Sequence, residues 1–185
     1  MDFIKKYIED LKTTLSTVNE NDIRTVIEVL RDARASGKTI YTLGNGGSAS
    51  TASHFVNGLS QGATVKGKTR FKAIGLTDNI PNMLAYANDL GYENIFVEQL
   101  TNLMNEGDIV IGISGSGNSP NVVKAIEYAN QHHAITIGLT GYDGGKLKTM
   151  VHYSIHVPCH FMEMVEDIHL AITHLIASYF RATNQ

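Results

Sequence analysis

Two short segments rich in glycine and serine carry the first chemical signal in this chain: Gly44-Asn45-Gly46-Gly47-Ser48 and Ser114-Gly115-Ser116-Gly117-Asn118-Ser119. A glycine-rich turn lets backbone N–H groups converge on an anion, and a helix that follows adds the positive end of its dipole. Serine hydroxyls supply further donors that rotate to suit the oxygens. Ser114, Ser116 and Ser119 have the spacing of a cup around one phosphate, and Asn45, Gly46, Gly47 and Ser48 can close its other side. Taken alone, either segment is equally well a tight strand-to-helix turn. Two of them in one sheet favour an anion site, because convergent backbone donors need an anion or water. Gly44, Gly46 and Ala49 also fit the relaxed dinucleotide pattern G-x-G-x-x-A. The first acidic residue downstream is Asp78, too far along for the ribose contact that pattern needs. Neither segment is followed by the Gly-Lys-Ser/Thr of a P-loop.

The surrounding elements set where these segments lie. Apolar residues at helical spacing (Phe3, Ile4, Tyr7, Ile8, Leu11, Leu15) predict a first helix. A second, capped by Asn21 or Asp22, carries Ile23, Val26, Ile27 and Leu30 and ends near Ser36-Gly37. We expect the stripes of this leading pair, residues 1–36, to pack on a partner subunit. Strands are expected at 39–43, 71–76, 108–113, 135–139 and 153–157. Helices are expected at 50–59, 80–87, 95–104, from Pro120 through Ala129, and at 163–180, with 88–91 irregular. Strands alternating with helices make a doubly wound parallel sheet of the α/β class, helices on both faces, in one domain over 1–185. Ligands in such sheets bind at the carboxyl ends of strands, where both Gly/Ser segments sit.

Composition narrows the partners. Fifteen basic against 18 acidic residues leave a net charge of -3, so nothing draws the chain generally to nucleic acid. Lys66, Lys68, Arg70 and Lys72 alternate along one stretch, which reads as a solvated edge strand. Cys159 is the only cysteine, so no internal disulfide forms. There is no apolar signal core and no membrane-length apolar run, so the cytoplasm is the expected location.

TLGNGGSASTASHF, ANDLGYENIF, GISGSGNSPNVVKAI and EDIHLAITHLI together resemble the phosphoheptose isomerases, a branch of the sugar isomerase (SIS) domain family with a flavodoxin-like fold. The resemblance covers nearly the whole chain. It implies that Ser114, Gly115, Ser116 and Ser119 grip a phosphate with help from Ser48. It further implies that Asn45, Gly46, Gly47, Asn88 and Asp89 line the sugar. Family members are homotetramers with sites built from neighbouring subunits. Many hold zinc, and they convert sedoheptulose 7-phosphate to a heptose 7-phosphate.

The chain departs from that pattern in its carboxylates. The family's helix after the first loop carries a His and, four residues on, a Glu that is metal ligand and acid/base. Here His54 is present but Gly58 stands at the Glu position. On the last helix the family's Gln and His correspond to Glu166 and His174. One carboxylate is lost and another gained. His54, Glu166 and His174 are therefore the expected zinc set, with an open fourth position. Each of the three is otherwise an ordinary packed or surface helix residue. Glu163 replaces a family Asp, and the family's Arg after His54 is missing.

An aldose–ketose isomerase moves a proton between neighbouring carbons. His174 is the expected base, since an imidazole exchanges protons near neutral pH, and Glu166 the expected second group, which also touches substrate. Two other classes stand beside the isomerase. One is a non-catalytic SIS protein that binds a protein partner, as one branch binds the replication initiator. The other is a ligand-sensing regulatory domain.

Overall fold

The computed structural model describes residues 2–183. Two helices lead, α1 (Phe3–Ser16) and α2 (Glu20–Ala35). Then come β1 (Thr39–Gly44), α3 (Gly47–Asn57), β2 (Lys72–Gly75), α4 (Ile80–Leu90), α5 (Val97–Leu103) and β3 (Ile109–Ser114). The chain finishes with α6 (Pro120–Gln131), β4 (Ile135–Thr140), α7 (Gly145–Met150), β5 (Tyr153–His156) and α8 (Met162–Ala182). All five strands are parallel, in the order β2-β1-β3-β4-β5. The order reverses between β1 and β3. The crevice beyond the carboxyl ends of those two strands is where sheets of this order hold ligands.

Strand residues alternate between two cores, as a period of two requires. Ile40, Ile109, Ile111, Ile113 and Ile137 face α2, α3 and α8. Tyr41, Leu43 and Val110 face α5, α6 and Leu147 of α7. β3 is buried along its whole length, which explains an apolar run without polar alternation. β2 is an outer strand of the sheet and opens at Lys72, whereas Lys66, Lys68 and Arg70 lie in the turn and coil before it rather than in the edge strand expected for them.

The two leading helices part company. In α2, Ile23, Val26, Ile27 and Leu30 are buried in this chain's own core. Each such side chain contributes roughly 1.5–3 kcal/mol, so α2 belongs to the sheet's packing. That corrects the expectation that its stripe waits for a partner. Its cap is Asn19, whose side chain accepts from the Asn21 N–H at 2.9 Å, rather than Asn21 or Asp22. α1 buries none of its residues, and Phe3 and Ile4 are 71% and 66% exposed. It is tethered where Tyr7 donates to Asp167 at 3.0 Å and sets its ring edge-on to Phe161.

Candidate functional site

β1 and β3 pair in register with Gly44 opposite Ile113, so the two Gly/Ser loops leave the sheet side by side. Ser114 ends β3, and its hydroxyl lies 3.1 Å from that of Ser119. Between them the chain turns tightly. Gly117 donates to the Ser114 carbonyl at 3.0 Å, and Asn118 N–H donates to the Ser116 hydroxyl at 3.2 Å. Gly117 has φ +65°, and a side chain there would overlap the carbonyl of Gly144. The end of the β4–α7 loop and the first turn of α7 thus brace the serine cup. Leu147 N–H donates to the Gly117 carbonyl at 2.9 Å, and Lys146 N–H to the Asn118 side chain at 3.1 Å. Sequence reasoning missed this brace because Gly-Tyr-Asp-Gly-Gly reads as a plain turn.

The other loop opens α3 three residues earlier than expected, with Gly46 as its cap at φ +55°. The N–H groups of Ala49 and Ser50 return to the carbonyls of Asn45 and Gly46. Those of Gly47 and Ser48 head the helix, where a first turn leaves donors for a ligand. Ser48 is buried there. The side chain of Asn45 is engaged elsewhere. It forms a reciprocal amide pair with Asn121, both hydrogen bonds 2.9 Å, and also accepts from the Tyr92 hydroxyl at 3.0 Å. Asn88 and Asp89 lie in the last turn of α4, helical rather than irregular. Both are exposed, and Asn88 donates to Asp89 at 2.7 Å.

α8 lies across both loops. Gly115 is buried beneath Met162 and Val165, and a side chain at Gly115 would overlap the Met162 sulfur. One turn on, the carboxylate of Glu166 presses against Gly47, filling the space a Cβ would take. Burial, then the nearby charges of Glu163 and Asp167, push the Glu166 carboxyl above the ordinary carboxylate range. α3 and α8 then run side by side to a second meeting point. There His54 and His174, both exposed, bring their Nε2 atoms to 2.7 Å with rings nearly edge-on. One ring donates and the other accepts.

The expected zinc set does not assemble. Among the described residues no group of three or more His, Cys, Asp or Glu side chains is placed to hold a metal. Glu166 and His174 share a helix face, eight residues apart. The Glu166 carboxylate is turned to Gly47 instead of towards the imidazoles. Two nitrogens on one tetrahedral zinc stand about 3.3 Å apart, so the 2.7 Å spacing is that of a direct hydrogen bond. Gly58 offers no fourth donor. A Cβ there would already lie 3.2 Å from the Ala177 Cβ of α8.

A family model described as the SIS domain matches residues 3–141. The chain is 38% identical to the phosphoheptose isomerase of Geotalea daltonii, over 94% of this chain and 91% of that one. A solved phosphoheptose isomerase from Francisella tularensis superposes with a TM-score of 0.89 at 27% identity, covering 97% of this chain and 96% of that one. One from Neisseria gonorrhoeae gives 0.88 at 26% identity, covering 97% of each chain.

Proposed function

Because this chain belongs to the phosphoheptose isomerases of the SIS-domain family, we propose that it interconverts sedoheptulose 7-phosphate and an aldoheptose 7-phosphate, or a closely related sugar phosphate. The observation that carries the reading is the meeting of two donor-rich loops at the β1/β3 switch point, with the Glu166 carboxylate beside them. The phosphate sits in the cup of Ser114, Gly115, Ser116 and Ser119, and Ser48 contributes from the neighbouring loop. The sugar extends past Gly46 and Gly47 along the α3–α8 seam, with Asn88 and Asp89 at its flank.

Three features of the seam order the chemistry: the serine cup, then Glu166, then the His54–His174 pair. A long phosphate ester anchored in the cup lays its far carbons towards the imidazoles. His174 takes a proton from C1 of the ketose. Glu166, whose carboxyl burial pushes above its ordinary pKa, donates to O2 and leaves an enediol. The proton on His174 then returns at C2 while O1–H gives its proton back to Glu166. C1 becomes the aldehyde, and both side chains end as they began. Every proton is carried by a side chain of the chain itself. Grip on the remote phosphate holds the reacting carbons in place.

The assembly we propose is a homo-oligomer, a tetramer on the family pattern. The uncovered apolar residues Phe3, Ile4, Ile8 and Leu15 of α1 support it. No helix among the described residues is long and apolar enough to cross a membrane. The free thiol of Cys159 suits the reducing cytoplasm.

The direct test is turnover of sedoheptulose 7-phosphate against unphosphorylated sedoheptulose. The phosphorylated sugar should react at least 100-fold more efficiently in kcat/KM, in keeping with charge-assisted phosphate contacts. Equal rates, or no turnover of either, would overturn the assignment.

A further inference from the structure

Asn45, Asn121 and Tyr92 come from three separate segments and meet at one point. Asn45 lies in the β1–α3 loop. Asn121 is the second residue of α6, just beyond the serine cup. Tyr92 follows α4, three residues after Asp89. The two amides bond reciprocally at 2.9 Å, and the Tyr92 hydroxyl donates to the same Asn45 oxygen at 3.0 Å. Asn121 is 1% exposed, and its oxygen also accepts the Val122 N–H at 2.9 Å, holding the first turn of α6. Three of its four hydrogen-bonding positions are thereby filled: both acceptor positions of the oxygen, by Asn45 and the Val122 N–H, and one N–H, donated to Asn45.

We infer that this three-residue node is a positioning device that fixes the distance between the phosphate cup and the part of the site that handles the sugar carbons. The inference rests on the isomerase reading above. Buried amide pairs are directional, so each side chain has one low-energy placement. Asn121 carries the cup's position to Asn45, and Asn45 carries it to Gly46 and Gly47, against which Glu166 rests. Tyr92 ties in the segment bearing Asn88 and Asp89. These residues act through the loops they join; none has to touch the reacting atoms.

Such a device predicts a split in kinetic constants. Removing one of its bonds leaves the cup formed but lets the carbons drift from Glu166 and His174. Tyr92→Phe removes a single hydroxyl from a side chain that is 59% exposed. It should keep Tm within about 2 °C and the inhibition constant for inorganic phosphate within twofold, while kcat falls about three- to tenfold. Asn121→Ala should lower kcat further. Asn121→Asp keeps the acceptor for Asn45 and Val122 but sets its second oxygen against the Asn45 oxygen, and should not recover the loss. Unchanged kcat in Tyr92→Phe and Asn121→Ala overturns the inference, as does phosphate affinity falling in step with kcat. Hydrogen exchange on the intact protein gives a readout independent of activity. Tyr92→Phe should speed exchange in Gly44–Ser48 as well as around residue 92. Faster exchange confined to residues 91–94 overturns the node even if the wild type turns over no sugar, a result that would sink the isomerase reading separately.

Discussion

His54 and His174 form a direct imidazole–imidazole hydrogen bond of 2.7 Å that joins α3 to α8. Both rings are exposed, so the pair adds little to stability and is free to exchange protons with a substrate. His174→Asn should lower kcat by about 10²–10⁴-fold, the usual range for losing a general base. His54→Asn, which only releases its partner's orientation, should cost about tenfold. Melting temperatures of both variants should stay within about 2 °C of the wild type. Steady-state kinetics beside thermal melts check this, and a fully active His174→Asn contradicts it.

Gly47→Ala tests the placement of Glu166. The new methyl would overlap the carboxylate, which is the far end of a flexible side chain and can swing away. Stability should therefore change by less than about 1 kcal/mol. The displaced carboxylate no longer hands protons to the sugar, so kcat should fall at least tenfold, towards the value of Glu166→Gln. The double variant should be no slower than Glu166→Gln alone, because no proton-carrying carboxyl is then left for the alanine to displace.

Gly117→Ala should damage the phosphate cup and the fold together. Its φ of +65° disfavours a side chain, and the obstacle is the backbone carbonyl of Gly144, which cannot rotate aside. A loss of about 2–4 kcal/mol in denaturant unfolding is expected, with weakened inhibition by inorganic phosphate. A variant as stable as the wild type would show that the β4–α7 loop is not a fixed brace.

Much of this arrangement was legible in the residues themselves. The run Ile109–Ile113 announced a strand covered on both faces, and the glycines and serines after β1 and β3 announced turns with spare donors. That the two loops are neighbours follows from the Gly44–Ile113 register, a long-range pairing that local pattern only implies through the fold class. Asn121 and Tyr92 escaped notice because an Asn early in a helix and an isolated Tyr carry no motif. Only tertiary contact gives them partners. Glu166 was legible as a site residue, but its company was not. Helical spacing put it on the face of His174, whereas packing turned its carboxylate to the gap left by Gly47. The short helix α7 was hidden for a related reason, since one glycine caps it, another is its first residue, and local propensity argues against a helix there.

His169 gives the fold a pH dependence. It is fully buried, neither ring nitrogen has a hydrogen-bond partner among the described residues, and burial lowers its pKa to about 4. An unfolded chain takes up that proton near pH 6.5. Its stabilising contribution is therefore complete above about pH 6.5 and is lost as pH falls towards 4, by up to about 3 kcal/mol. The half-buried His156, whose pKa is also lowered, acts in the same direction. Urea unfolding at pH 7.5, 6 and 5 should show a steeper decline for the wild type than for His169→Leu. Parallel declines would contradict this assignment.

Proton exchange into the sugar itself probes the mechanism most directly. Sedoheptulose 7-phosphate incubated with the protein in D₂O and followed by NMR should give aldose carrying deuterium at C2, because the exposed His174 exchanges its proton with solvent before delivering it, and deuterium should reach C1 of the ketose on reversal. Both changes should be abolished in Glu166→Gln/His174→Asn and suppressed by excess inorganic phosphate. A spectrum that keeps its C1 protons and shows no aldose, under conditions where inorganic phosphate binds, would contradict the account.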